Sequence, residues 1–226
     1  LLAEGYEVVG ADNFTPYYPV LLKHRRHAEL AAQPGFTGVE LDLCNVSALQ
    51  ALFEKHRFSF VCHLAAQPGV RYSVHHPFAV QRANSEGFLS VLESCRQCGI
   101  KRLVYASSSS VYGGNTKLPF SEDDPVDTPI SLYAATKRAN ELMAHVYGRL
   151  YGIQTAGLRF FTVYGPWGRP DMATWLFTEA MLAGKPITVF DQGRLRRDFT
   201  YIDDIVAGVR SALFADGLER TEIFNL

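Results

Sequence analysis

Short apolar runs alternate along the chain with longer stretches in which apolar residues recur at helical spacing. Residues 7–12, 38–42, 60–65, 102–107 and 155–160 read as buried strands. Residues 47–56, 77–98 and 133–151 carry the helical period, with Ser47 expected to cap the first of these and Gly99 and Gly152 expected to stop the other two. Strand–helix alternation with near-continuous apolar strands predicts a parallel sheet covered on both faces, a doubly wound α/β fold of Rossmann type.

The pattern changes from about Gly165. A stiff loop, Gly165-Pro-Trp-Gly-Arg-Pro170, precedes a predicted helix over 174–183 and short strands near 187–190 and 199–201. Residues 1–164 are therefore expected to form a nucleotide-binding domain and 165–226 part of a smaller C-terminal substrate lobe. Leu1-Leu-Ala-Glu-Gly5 resembles the last turn of a helix with a glycine stop. A doubly wound nucleotide fold begins one strand and one Gly-rich turn earlier, and Glu222-Ile-Phe-Asn-Leu226 looks like a strand. The expectation is a fragment lacking the first strand and the C-terminal end.

Composition narrows the class. The chain is 47% hydrophobic and 20% charged with a formal net charge of −1, and its basic residues are scattered, which argues against nucleic acid as a partner. No apolar run approaches the roughly 20 residues that span a bilayer. Neither a membrane partner nor a leader is expected, and a cytoplasmic location is. The four cysteines, Cys44, Cys62, Cys95 and Cys98, suggest reduced thiols. Cys95-Arg-Gln-Cys98 has no second ligand pair at zinc spacing, and no metal is expected.

The candidate chemistry centres on Ser131-Leu-Tyr-Ala-Ala-Thr-Lys137. Residues four apart share a helix face, so Lys137 can stand beside Tyr133. A free phenol near pKa 10 is a poor base, and a neighbouring cation favours its phenolate. Ser108 or Ser110, in the cluster closing the 102–107 strand, can hold a substrate hydroxyl against that phenolate. Alone, Tyr-x-x-x-Lys is a common surface pairing; the serine cluster and the nucleotide-binding pattern before it favour catalysis.

Asp12 ends the first strand, where an acid accepts ribose hydroxyls and disfavours a 2′-phosphate, pointing to NAD as cofactor. A strand-end Asp more often simply caps the next loop. Asp42, followed by Leu43, ends the next strand where an adenine edge would lie, and Leu64-Ala65-Ala66 offers small residues for close approach of a cofactor. Arg71, Arg159, Arg169, Arg196 and Arg197 fall near loops and strand ends, where two or three of them suit a diphosphate or carboxylate substrate.

Six segments resemble the extended short-chain dehydrogenase/reductases, in the UDP-glucuronate 4-epimerase branch of the NAD-dependent epimerase/dehydratases. They are Asp12-Asn-Phe-Thr-Pro-Tyr-Tyr18, His63-Leu-Ala-Ala-Gln-Pro-Gly-Val-Arg-Tyr-Ser73, Tyr105-Ala-Ser-Ser-Ser-Ser-Val-Tyr-Gly113, Ser131 to Lys137, Leu158 to Met172, and Arg197-Asp-Phe-Thr-Tyr-Ile-Asp-Asp204. Within the fifth, Gly-Pro-Trp-Gly-Arg-Pro-Asp-Met is the most specific. The resemblance implies Tyr133 as base, Lys137 as its activator and nicotinamide-ribose ligand, and Ser108 and Ser110 as hydroxyl partners. It implies Asp12, Asn13, Asp42, Leu43, Leu64, Ala65 and Ala66 at NAD, and matches Asn84 to a helix Asn of the superfamily. For the substrate it implies Arg71, Thr162 at the sugar, Arg169 at a uronate carboxylate, Val189 and Phe190 along uracil, and Arg197 at the diphosphate.

The implied reaction is C4 epimerisation of a UDP-uronic acid through a transient 4-keto sugar, in a parent expected to be a homodimer. The alternatives are another nucleotide-sugar epimerase, a 4,6-dehydratase, a decarboxylase and a non-catalytic nucleotide-binding fragment. The strand end offers no Asp or Glu for a dehydratase, while a decarboxylase shares the oxidation step.

Overall fold

A computed structural model describes residues 1–226 except Phe190 and Leu195. In chain order its elements begin with β1 (Val8–Asp12), α1 (Val20–Ala31), β2 (Phe36–Glu40), α2 (Val46–His56) and β3 (Val61–His63). Next come α3 (Val70–His75), α4 (Pro77–Gln81), α5 (Gly87–Gln97), β4 (Arg102–Ser108), α6 (Leu132–Tyr151), β5 (Gln154–Phe160) and β6 (Thr162–Tyr164). The chain continues through α7 (Ala173–Leu182), β7 (Phe199–Tyr201), α8 (Ile202–Phe214) and β8 (Thr221–Asn225). Among the described residues the five strand pairings are all parallel, as the continuous apolar strands predicted.

Two compact units divide the chain, Leu1–Leu41 with Thr162–Ile202, and Asp42–Phe161 with Asp203–Leu226. The division does not follow a boundary at 164/165. Residues 165–202 group with the N-terminal segment, whereas α8 (but for Ile202) and β8 belong with β3, β4 and β5 because β8 pairs along β5 in the sheet order β3–β4–β5–β8.

In the larger unit the strand period sorts the side chains into two layers. Val104, Ala156 and Leu158 pack with Ala212 and Leu213 of α8. On the other side Phe88 of α5 lies 5.1 Å from the Tyr105 ring and 5.2 Å from His63. Tyr105 is buried because its cross-strand partner is Gly157: a Cβ there would lie 2.5 Å from the phenol oxygen, so only glycine leaves room for the ring. Burying a side chain of this size contributes about 1.5–3 kcal/mol.

Helix ends follow local chemistry. Ser131 caps α6 by accepting the Ala134 N–H at 3.1 Å, and Gly152 ends it in the left-handed conformation at φ 69°. The cap of α2 is Asn45, not Ser47; Asn45 accepts the Ala48 N–H at 3.2 Å, and the Ser47 hydroxyl donates to the same oxygen. The 77–98 stretch is not one helix: Arg82–Glu86 is a π turn between α4 and α5, with the Gly87 N–H reaching back five residues to the Arg82 carbonyl. Of the strand expected over 187–190, residues 187–189 take no strand conformation, and Phe190 lies outside the described residues.

In the smaller unit β1 pairs with β2 and β6 with β7. Arg26 of α1 donates to the carbonyls of Trp167 and Gly168 and to the Tyr18 hydroxyl, which ties the 165–170 loop to the N-terminal segment.

Candidate active site

Parallel pairing of β3, β4 and β5 brings their C-terminal ends together, and β4 runs out into the serine cluster. Ser108 caps a one-turn 3-10 helix, Ser109–Tyr112, its hydroxyl oxygen accepting the Ser110 N–H at 3.2 Å. That leaves the hydroxyl proton to donate outward.

Helix α6 packs along β4. Its Tyr133 is half-buried in the first turn, and Lys137, one turn on and on the same face, is 2% exposed. The Lys137 ammonium donates to the Ala106 carbonyl at 2.9 Å, two residues before Ser108. Among the described residues no carboxylate lies within ion-pair reach of it. Burial without a counter-charge draws its pKa down to about 8. An ammonium held this way has donor capacity for the hydroxyls of a bound ligand, which suits the nicotinamide-ribose role.

A polar chain fixes the loop after β3. Asn84, 1% exposed in the π turn, accepts the Gln67 N–H at 2.7 Å and donates to the Gln67 carbonyl and to the Thr136 hydroxyl, each at 3.1 Å. Asn140 donates to the Asn84 carbonyl at 2.8 Å. The π turn thus joins the loop ending in Gln67 to the helix turn that carries Lys137. Leu64 and Ala65, just before, are exposed. Asp42 accepts the Cys44 N–H at 2.9 Å and Arg82 at 3.0 Å, and Leu43 beside it is half-buried. Burial of Asp42 raises its pKa, but these two hydrogen bonds and the Arg82 charge outweigh it, and the net shift is downward.

Behind the serines lies a buried charge network that sequence reading missed. Ser107 donates to Glu141 of α6 at 2.6 Å, and Arg159, the cross-strand partner of Ser107, donates to both Glu141 oxygens at 2.9 and 3.1 Å. Arg159 is therefore no substrate ligand; at 2% exposure its guanidinium is spent on Glu141, on Tyr112 and on the Glu122 carbonyl. Burial pushes the Glu141 carboxyl up, yet the Arg159 and Ser107 bonds hold it ionised below its ordinary range. An acid eight residues after a candidate base shares its helix face, and that spacing was the available signal.

Arg71 stands exposed on α3. The other assigned residues belong to the smaller unit. Asp12 accepts the Phe14 N–H at 2.7 Å, capping the loop after β1, and Asn13 does the same for Thr15 at 3.3 Å. Thr162 opens β6, its N–H donating to the Asp198 carbonyl at 3.1 Å. Arg169 donates to both oxygens of Asp171, at 2.9 and 2.7 Å, and the Tyr17 hydroxyl donates to Asp171 at 3.0 Å. Val189 is exposed, and Arg197 is exposed with its guanidinium donating to the Arg196 carbonyl at 2.8 Å.

A parallel α/β unit whose Tyr-x-x-x-Lys helix is anchored on a serine strand end defines a Rossmann-type short-chain dehydrogenase/reductase. The chain belongs to the NAD dependent epimerase/dehydratase family, whose model matches residues 1–226. It is 50% identical over 209 residues to a probable UDP-glucuronate 4-epimerase of Rhizobium meliloti, covering 92% of this chain and 61% of that protein. It is 52% identical over 217 residues to UDP-glucuronate 4-epimerase 2 of Arabidopsis thaliana, covering 94% and 50%. The chain thus spans between half and about three fifths of these relatives' length. Among solved structures, a UDP-glucuronic acid 4-epimerase from Bacillus cereus in complex with UDP-glucuronic acid and NAD superposes with a TM-score of 0.91 at 37% identity, over 98% of this chain and 69% of that one. A dTDP-glucose 4,6-dehydratase from Streptomyces venezuelae follows the same fold, with a TM-score of 0.88 at 26% identity over 97% and 65%. Among the described residues no helix is long and apolar enough to cross a membrane.

Proposed function

We propose that this chain carries the NAD-binding and catalytic part of a UDP-glucuronate 4-epimerase. The observation that carries the reading is the buried Lys137 ammonium, tied to β4 within two residues of Ser108 and one helical turn from Tyr133. Relatives about half identical and named for this activity support the choice of substrate.

The residues assigned to NAD are Asp12 and Asn13 in the smaller unit, and Asp42, Leu43, Leu64, Ala65, Ala66, Tyr133 and Lys137 in the larger. Bound NAD supplies the reversible hydride acceptor. Lys137 favours the phenolate of Tyr133, which removes the proton of the C4 hydroxyl as C4 becomes a ketone. Ser108 and Ser110 hold that oxygen. The same phenol returns the proton when C4 is reduced on its other face. Substrate contacts are assigned to Arg71, Thr162, Val189, Phe190 and Arg197, with Arg169 at the uronate carboxylate.

A 4,6-dehydratase requires an acid beside the sugar. Here the strand end offers serines, and the nearby Glu141 is buried and committed to Arg159 and Ser107. The test is product analysis after incubation of the full-length parent with UDP-glucuronate and NAD. Conversion to UDP-galacturonate, lost in Tyr133→Phe, is expected. Undiminished turnover in that variant removes Tyr133 as base, and release of CO₂ identifies a decarboxylase instead.

A homodimer of the parent is supported by Leu142, Val146 and Leu150, an exposed apolar stripe on α6 at four-residue spacing, with Leu89 exposed on α5. Sedimentation of Val146→Asp against wild type tests it, with loss of the dimer expected. Four free thiols suit a reducing, cytoplasmic setting.

A further inference from the structure

We propose that the buried Glu141–Arg159 pair is a positioning device that locks the serine end of β4 in register with the helix bearing Tyr133 and Lys137. The inference rests on the catalytic reading above and adds residues that reading does not use.

Three observations carry it. First, Tyr133, Lys137 and Glu141 follow at four-residue steps on one face of α6, and the last two grip successive residues of β4: Lys137 the Ala106 carbonyl at 2.9 Å, Glu141 the Ser107 hydroxyl at 2.6 Å. The next residue is Ser108. Any slip of β4 along α6 therefore breaks two buried hydrogen bonds before it moves the catalytic serine.

Second, the same pair reaches the other serine. Arg159 donates to the Tyr112 oxygen at 2.9 Å, and Tyr112 closes the single 3-10 turn that carries Ser110. The Tyr112 hydroxyl passes the link to Asn225 of β8 at 2.7 Å, and Asn225 is the cross-strand partner of Arg159. Ser107, Arg159 and Asn225 form one row across three parallel strands, and Glu141 and Tyr112 staple it to α6 and to the serine turn.

Third, stability alone does not call for this arrangement. Glu141 is 4% and Arg159 2% exposed, and replacing a buried ion pair by apolar side chains of similar volume is often neutral or stabilising. What a salt bridge adds is direction: four hydrogen bonds converge on one carboxylate, from Ser107, from Arg159 twice and from Arg138 at 3.0 Å. Glu141 and Arg159 lie behind the serines, so they act through Ser108, Ser110 and Lys137.

The test uses two variants of the whole chain. Ser107→Ala removes one hydroxyl and leaves the ion pair intact, so it keeps its fold. The double change Glu141→Leu with Arg159→Met replaces the pair by apolar side chains. Two readouts follow: kcat and KM with UDP-glucuronate and NAD, and the titration of the Lys137 ammonium by NMR with side-chain-labelled lysine. In both variants kcat is expected to fall on the order of tenfold or more with KM for UDP-glucuronate unchanged, the mark of lost alignment. The Lys137 midpoint, near 8 in the wild type, is expected to rise toward the ordinary lysine value as the side chain slips outward. Folded variants with unchanged kcat and an unchanged midpoint overturn the proposal, even if they melt earlier. A wild type that leaves UDP-glucuronate untouched sinks the functional reading instead; the Lys137 titration needs no substrate and still decides this one.

Discussion

Lys137 donates its ammonium to the carbonyl of Ala106, 2.9 Å away, from a position only 2% exposed. One bond to a neutral oxygen compensates burial incompletely, and so the proton is held loosely, with a pKa of about 8. Below that value the lysine is charged and, in the proposed mechanism, favours the Tyr133 phenolate; above it the charge is lost.

The alkaline limb of kcat/KM for UDP-glucuronate is therefore expected near 8 and is assigned to Lys137. Lys137→Arg keeps its charge across this range and should flatten that limb, at reduced kcat because a planar fork does not replace a compact ammonium. A limb that persists unchanged in the arginine variant belongs to another group.

Asn84 serves Gln67 and Thr136 together, using both its acceptor and its donors. Asn84→Asp keeps the shape and removes the donors, leaving the Gln67 carbonyl buried without its partner. A loss of about 1–3 kcal/mol in urea unfolding is expected, with weaker NAD binding because Gln67 anchors the segment that follows Leu64–Ala66. Full NAD affinity in that variant would separate the π turn from the cofactor site.

How far the chain could be read beforehand depended on which force shapes each element. The strands β1, β3, β4 and β5 and the helix α6 are legible because sheet burial demands continuous apolar runs and α6 has one apolar face. The π turn was invisible: periodicity predicts one helix over 77–98, and nothing local announces the extra residue that turns Asn84 inward. Helix α8 went unassigned although Ile202, Ile205, Val209, Ala212 and Leu213 recur at helical spacing; α1, with no buried residue, gives a weaker signal. Tyr133, Lys137 and the serines stood out by spacing. Glu141 and Arg159 did not, since their meeting depends on the β4–β5 register, a tertiary fact. Arg159 looked like a ligand for an acidic substrate because an arginine at a strand end carries no mark of its partner.

His63 is held neutral at pH values where a solvated histidine is protonated. Burial, with the Lys137 charge as a second cause, lowers its pKa from 6.5 to about 3. The folded chain keeps the ring neutral down to that value, whereas the unfolded chain takes up a proton near 6.5. The unfolded state binds more protons throughout this window, so stability falls as pH falls through it. His63→Gln, which cannot titrate, should lessen the acid-side decline in the urea midpoint. Equal pH slopes for variant and wild type would show that His63 is not its source.

Arg169 supplies the last prediction, from the smaller unit. Its guanidinium donates twice to Asp171, which the Tyr17 hydroxyl holds in place. Burial raises the Asp171 pKa, but the bonds and charge of Arg169 outweigh that and keep the carboxyl ionised below its ordinary range. The fork is thus oriented before any substrate arrives, and such preorganisation reduces the ordering entropy lost on binding. If this arginine reads the uronate carboxylate, the contact is worth about 1.5–3 kcal/mol, roughly a tenfold to hundredfold change in KM. Arg169→Met should raise KM for UDP-glucuronate by that factor and leave binding of UDP-glucose, which lacks the carboxylate, nearly unchanged. Equal losses for both nucleotide sugars would mean that Arg169 supports the loop rather than selecting the acid, and Asp171→Asn would then weaken both in the same proportion.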